Sequence, residues 1–118
     1  MIYNNKKLIK KKTEVNAFLT EFKNMASERG IILIDRDKNK LAKLGLTRLD
    51  FRNEVLSLTY KNYCRGPEPD KDFPGEVWIF GKNIGYDEYY IKLKISQKKR
   101  AVCISFHPAE HSIHYPLN

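Results

Sequence analysis

Apolar residues recur at helical spacing near the start of the chain: Val15, Phe18, Leu19, Phe22, Met25 and Ala26. That period predicts an amphipathic helix whose apolar stripe faces a core. Thr13 reads as its N-cap, with Glu14 in the first turn, and Gly30 stops it after Arg29. Ile31 to Ile34 reads as a short buried strand. Lys38 to Leu44 reads as a short helix ending at Gly45. Thr47 opens the next helix, with Asp50 three residues on in a capping-box position, and Phe51, Val55 and Leu58 face inward.

The second half changes period. Gly66-Pro67-Glu68-Pro69-Asp70 and Pro74-Gly75 predict a long irregular loop. Runs rich in β-formers follow: Glu76 to Lys82, Tyr89 to Ser96 and Arg100 to His107, with Pro108 ending the last and an irregular tail after it. Helices first and strands afterwards make a single α+β domain over residues 1–118, its N-terminal helices packed on one face of a small antiparallel sheet.

The last two strands form a hairpin whose register follows from its alternation. Tyr89, Ile91, Leu93 and Ile95 share one face, and Tyr90, Lys92 and Lys94 the other. Matching apolar to apolar pairs Ile95 with Val102, Leu93 with Ile104 and Ile91 with Phe106. On the opposite face Lys94 meets Cys103, Lys92 meets Ser105 and Tyr90 meets His107.

Composition narrows the function. The 118 residues are 42% hydrophobic and 31% charged, a globular balance. Lys and Arg number 22 against 14 Asp and Glu, a net charge of +8, so polyanions are the natural partners. The longest aliphatic run, Ile31 to Ile34, is far short of a membrane span. The lysine-rich start has no apolar segment after it, and Cys64 and Cys103 make no disulfide framework; the expectation is a soluble, cytoplasmic, reduced protein with no membrane partner. Phosphate-binding glycine loops, serine-hydrolase elbows and paired-cysteine zinc motifs are missing.

The polar face of the hairpin suits a phosphodiester. Lysines bind phosphate and stabilise charge on its oxygens. An imidazole moves protons near neutral pH. RNA carries its own nucleophile, the 2′-hydroxyl, so cleavage needs neither a metal nor a protein nucleophile. No metal site or cofactor is expected: Cys103 and His107 are about 13 Å apart if extended, and His111 and His114 precede Pro116 rather than sit on a helix.

From about Leu41 to His107 the chain resembles the MqsR family of bacterial toxins, within the RelE-like ribonuclease superfamily. The resemblance rests on Leu44-Gly45-Leu46 before a helix, Tyr60-Lys61 after it, Val77-Trp78 on a strand, Tyr90-Ile91-Lys92-Leu93 and Ile104-Ser105-Phe106. It implies a RelE-like α+β fold, metal-independent cleavage of messenger RNA, and inhibition by a cognate antitoxin, with the ribosome as a further partner to test. It also implies catalytic roles for Lys61, for Tyr90 in the Tyr-x-Lys strand, and for His107, which stands where a family member has lysine. Ile79 stands where that member has glutamine, and an alkyl side chain makes no hydrogen bond.

The substrate-binding candidates are Lys92, Lys82, Arg65 and Trp78. Lys92 shares the hairpin face with Tyr90, Lys82 and Arg65 add cations, and Trp78 either stacks on a base or packs in the core. The segment from Cys64 to Asp70 borders the site, touches an antitoxin, or is a loop shaped by prolines. The general base is unassigned. A non-catalytic nucleic-acid-binding module fits the charge equally well, and a protein that docks on an acidic partner is a third reading.

Overall fold

The computed structural model describes residues 9–118; the start of the lysine-rich lead-in lies outside the described residues. Helix α1 spans Lys12–Arg29 and helix α2 Arg48–Leu56. The strands are β1 Ile31–Leu33, β2 Tyr63–Pro69, β3 Glu76–Ile84, β4 Asp87–Ile95 and β5 Ala101–Pro108. They form one mixed five-stranded sheet in the order β1-β5-β4-β3-β2. Neighbours pair antiparallel except β1 and β5, which run parallel. The sheet is therefore not purely antiparallel. The chain leaves β1 and returns into β5 only after the 3₁₀ turns, α2 and three strands, so no tight turn imposes antiparallel pairing there.

The helical pattern holds with small shifts. Val15, Phe18, Leu19, Phe22 and Ala26 are buried on α1, and Gly30 closes it through its N–H to the Ala26 carbonyl at 2.7 Å. The cap is Lys11 rather than Thr13, because the Glu14 carboxylate reaches back to the Lys11 N–H at 3.0 Å. On α2 the Thr47–Asp50 capping box is present, with the Asp50 N–H on Thr47 Oγ1 at 3.0 Å and the Thr47 N–H on Asp50 Oδ2 at 2.8 Å. Phe51, Val55 and Leu58 are buried. The expected helix from Lys38 to Leu44 is two 3₁₀ turns, Asp37–Asn39 and Leu41–Leu44, parted at an extended Lys40. The Asn39 side chain accounts for the break: it is buried and bonds the Ile34 and Ile104 carbonyls and the Phe106 N–H.

Both helices pack on one face of the sheet. Trp78, Phe80, Tyr89, Ile91, Leu93, Cys103 and Phe106 meet the helices there in one continuous core. Phe51 of α2 meets Phe106 edge-on, with ring centroids 4.9 Å apart, and Phe18 of α1 stacks on Trp78 at 4.6 Å. Such pairs add about 0.5–1.5 kcal/mol each beyond simple burial.

Three further expectations change. Ile31 is buried, but Ile32 and Ile34 are exposed, because β1 is an edge strand. The segment Gly66 to Pro69 is the end of a strand, not a loop: β2 pairs with β3 through Glu68–Val77 and Pro69–Glu76, with register shifts on the way. Prolines are tolerated because β2 lies at the sheet edge and needs partners on one side only. Gly66 sits at φ +114°, where a Cβ would fall 2.9 Å from the Val77 carbonyl oxygen. Of the expected loop, residues 70–75 between β2 and β3 are irregular.

The hairpin register is right at one end only. Tyr90–His107, Ile91–Phe106 and Lys92–Ser105 pair as expected. A β-bulge then shifts the ladder, so that Leu93 pairs with Cys103, Lys94 with Val102 and Ile95 with Ala101. Cys103 consequently enters the core and Val102 leaves it. Among the described residues no helix is long and apolar enough to cross a membrane.

Candidate functional site

The face of the sheet turned away from the helices holds a cleft of about 620 Å³. Strand β4 supplies Tyr90 and Lys92, β5 supplies Ser105 and His107, and β2 supplies Cys64 and Arg65. Arg36 and Asn39 enter from the connection after β1, and the tail closes the rim with His111, Ser112, Ile113 and His114. Alternation explains the first set, since positions 90 and 92 on β4 face the same way and meet 107 and 105 across the ladder.

Arg65 reaches this group from two strands away. The intervening β3 sets Gly81 opposite Tyr90 and Ile79 between Arg65 and Lys92 in register. Gly81 lets the tail approach: a Cβ there would fall 2.6 Å from both Ile113 Cδ1 and the Tyr115 hydroxyl. Glu88 anchors the same tail, accepting from the Ile113 N–H at 3.0 Å and from the Tyr115 hydroxyl at 2.7 Å. Ile79 is fully buried, so this position contributes packing, not a polar contact.

The rings of Tyr90 and His107 stack with centroids 5.7 Å apart and planes at 28°. His107 Nδ1 lies 3.0 Å from the Pro108 carbonyl oxygen. With the Nδ1 proton donated there, Nε2 is the ring nitrogen left for a substrate atom. Lys92 Nζ stands 5.9 Å from the centre of the Tyr90 ring. Arg65 Nε donates to Glu68 Oε2 at 2.6 Å, which orients the guanidinium beside Tyr90.

Burial pushes the Tyr90 phenol above its ordinary pKa, with the Arg65 cation pulling the other way. Burial and then the nearby Arg36 charge bring the Lys92 ammonium below the ordinary lysine value. Burial raises the Cys64 thiol as well, with Arg65 opposing it, so Cys64 is not set up as a thiolate nucleophile. The cleft thus offers cations, a phenol and an imidazole on a partly dehydrated surface. That equipment can grip an anionic oxygen and transfer a proton beside it.

Four of the residues singled out from sequence meet here: Arg65, Tyr90, Lys92 and His107. Three others stand apart. Trp78 is half-buried on the helix-covered face of β3, stacked on Phe18, and does not line the cleft. Lys82 falls on the same parity as Trp78; it pairs with Glu54 at 2.7 Å and bonds Ser57 of the α2 terminus. Lys61 is exposed on the 3₁₀ turn Tyr60–Asn62 and does not line the cleft. Arg36, His111 and His114 also line the cleft, as do Cys64, which opens the segment expected to border the site, and Ser105, the hydroxyl expected opposite Lys92. The tail histidines carry a visible signal, two imidazoles three apart, whereas nothing local to Arg36 marks it. Among the described residues no three His, Cys, Asp or Glu side chains gather as a metal site.

Comparison with family models, with curated proteins and with solved structures finds no match.

Proposed function

We propose that the protein is a metal-independent endoribonuclease and that the basic cleft is its active site. The observation that carries this reading is the convergence of Arg65, Tyr90, Lys92 and His107, from three strands, in one cleft. In the reaction the 2′-hydroxyl of one nucleotide attacks its own 3′-phosphorus. The bond from phosphorus to the 5′-oxygen breaks, leaving a 2′,3′-cyclic phosphate and a 5′-hydroxyl. Arg65 and Lys92 hold the non-bridging oxygens and offset the charge that grows on them. His107 protonates the departing 5′-oxygen through Nε2. Tyr90 orients the substrate against the imidazole it stacks on. A tail imidazole, His111 or His114, takes the 2′-hydroxyl proton; both line the same cleft. Lys61 is left out of this scheme because it lies outside the cleft.

The resemblance to the MqsR family extends the proposal. On that basis the fold is RelE-like, the substrate is messenger RNA in the cytoplasm, and the protein is the toxin of a toxin–antitoxin pair, held inactive by its antitoxin and with the ribosome a further partner. The net charge of +8 supports one other reading, a nucleic-acid-binding module without catalysis.

Incubation of a defined single-stranded RNA with the protein in EDTA, beside His107→Ala, separates the two. Cleavage with cyclic-phosphate ends, lost in the variant while RNA binding is kept, is the expected result. Binding without cleavage by the wild type, also with ribosomes present, leaves the binding module.

A further inference from the structure

Beside the cleft, on the same sheet face, lies a second and more apolar pocket of about 460 Å³. Val102 and Ile104 form its β5 wall, and Ile34, Phe73 and Pro74 bound it. Arg36 lines both this pocket and the cleft, so the two adjoin at one arginine.

Two features of the chain build the pocket. The first is the β5 bulge. It leaves Ile104 without a partner in the ladder and pairs Val102 with Lys94 on the cleft face. Asn39 holds it, donating to the Ile104 carbonyl at 2.9 Å and accepting from the Phe106 N–H at 3.0 Å. Bulges often re-aim a side chain beside a site. The second is the tether of the loop between β2 and β3. Lys94 Nζ binds Asp70 Oδ2 at 2.6 Å and the Pro74 carbonyl at 3.1 Å. Asp70 Oδ1 in turn accepts from the N–H groups of Asp72 and Phe73, at 2.9 and 3.3 Å. The loop is thereby held in place while its Phe73 ring is 70% exposed at the pocket.

We propose that this pocket receives a nucleobase of the RNA whose backbone lies in the cleft, with Phe73 as the stacking platform. The inference rests on the reading of the cleft as an RNA site. Charge points to this occupant: Arg36, Lys92 and Lys98 stand along the cleft and pocket, while the Asp70 carboxylate is neutralised by Lys94. A strand with its phosphate at Arg36 and Lys92 brings the adjoining base within one nucleotide of the pocket. Val102 and Ile104 offer an apolar surface, and the Asp72 carboxylate on the rim is an acceptor that suits an exocyclic amino group. Adenine, cytosine and guanine carry such a group, and uracil does not.

The test uses a fluorescein-labelled 2′-O-methyl oligoribonucleotide, which has no 2′-hydroxyl to attack, and an abasic oligomer of equal length. Binding by the full chain is followed by anisotropy at low salt for wild type and Phe73→Ala. The expected result is a loss of about tenfold in affinity for the base-bearing oligomer in the variant, the scale of one lost stacking contact, with the abasic affinity unchanged. Phe73 is exposed, so the variant should fold, and unfolding curves check this. Equal binding of the base-bearing oligomer by the two proteins, or an equal loss for both oligomers, overturns the base pocket and leaves the RNA cleft standing. Failure of wild type to bind either oligomer overturns the RNA reading and the pocket with it.

Discussion

Tyr90 and His107 stack across the β4–β5 ladder at 5.7 Å, and the Nδ1 of that histidine faces the Pro108 carbonyl. The phenol ring and the carbonyl together fix the imidazole plane and the nitrogen it presents. Tyr90→Phe keeps the ring and removes the hydroxyl. If Tyr90 acts by stacking, cleavage by Tyr90→Phe stays within a few-fold of wild type and Tyr90→Ala loses far more. If the hydroxyl moves a proton, both variants lose about 10²-fold or more in kcat. Single-turnover cleavage of a short RNA decides between them.

Lys92 makes a claim about salt and pH. A side chain that neutralises one phosphate contributes about one unit to the slope of log affinity against log salt. Lys92→Gln should flatten the slope by about that amount. Burial and Arg36 lower the Lys92 pKa, so its charge is lost below the ordinary lysine value of about 10.4. RNA affinity should therefore decline as pH rises into the alkaline range. Lys92→Arg, whose charge does not titrate there, should remove the decline. An unchanged pH profile in that variant would count against a Lys92–phosphate contact.

The Lys94–Asp70 pair sets a different pH limit. Its two side chains are each 8% exposed and 2.6 Å apart. The hydrogen bond from Lys94 holds the Asp70 carboxyl below the ordinary aspartate value. A depressed folded-state pKa contributes stability that is fully present above the unfolded value, about 3.9. That contribution is lost as pH falls through the folded value. Urea unfolding should show it as a fall in midpoint in acid that is absent in Asp70→Asn. At neutral pH the same variant leaves Lys94 with the Pro74 carbonyl and an uncharged amide in place of the carboxylate, and should cost about 1–3 kcal/mol.

Gly81 governs the tail. A methyl at this position meets Ile113 and Tyr115 at 2.6 Å, so Gly81→Ala must move one or both. Overpacking of this kind costs about 1–3 kcal/mol. The strain should be relieved by lifting the tail from Glu88 rather than by opening the core, because the blocking atoms are side-chain ends. Limited proteolysis after residue 109 should be faster in Gly81→Ala, and amide exchange in β3 and β4 should change little.

Much of this protein is legible from local rules. The α1 period, the Thr47–Asp50 cap and the stop at Gly30 each depend on residues within a turn or two of one another. The pairing of Tyr90 with His107 follows from strand alternation, which places side chains without knowledge of the rest of the sheet. Tertiary structure decided the remainder. Gly66 to Pro69 form a strand only because β3 offers an edge whose hydrogen bonds prolines do not obstruct. Ile104 bulges where Asn39, from a distant turn, takes up its carbonyl, and from there to the turn the face of every β5 residue is reversed. Trp78 and Lys82 went to the helix side because the parity of β3 is set by its neighbours, not by its own composition. Arg65, Arg36 and the tail histidines reach the cleft from segments far apart in sequence, brought together by strand order and by the space above Gly81. Local periodicity specifies which way a side chain points within its element; only packing between elements specifies what it meets.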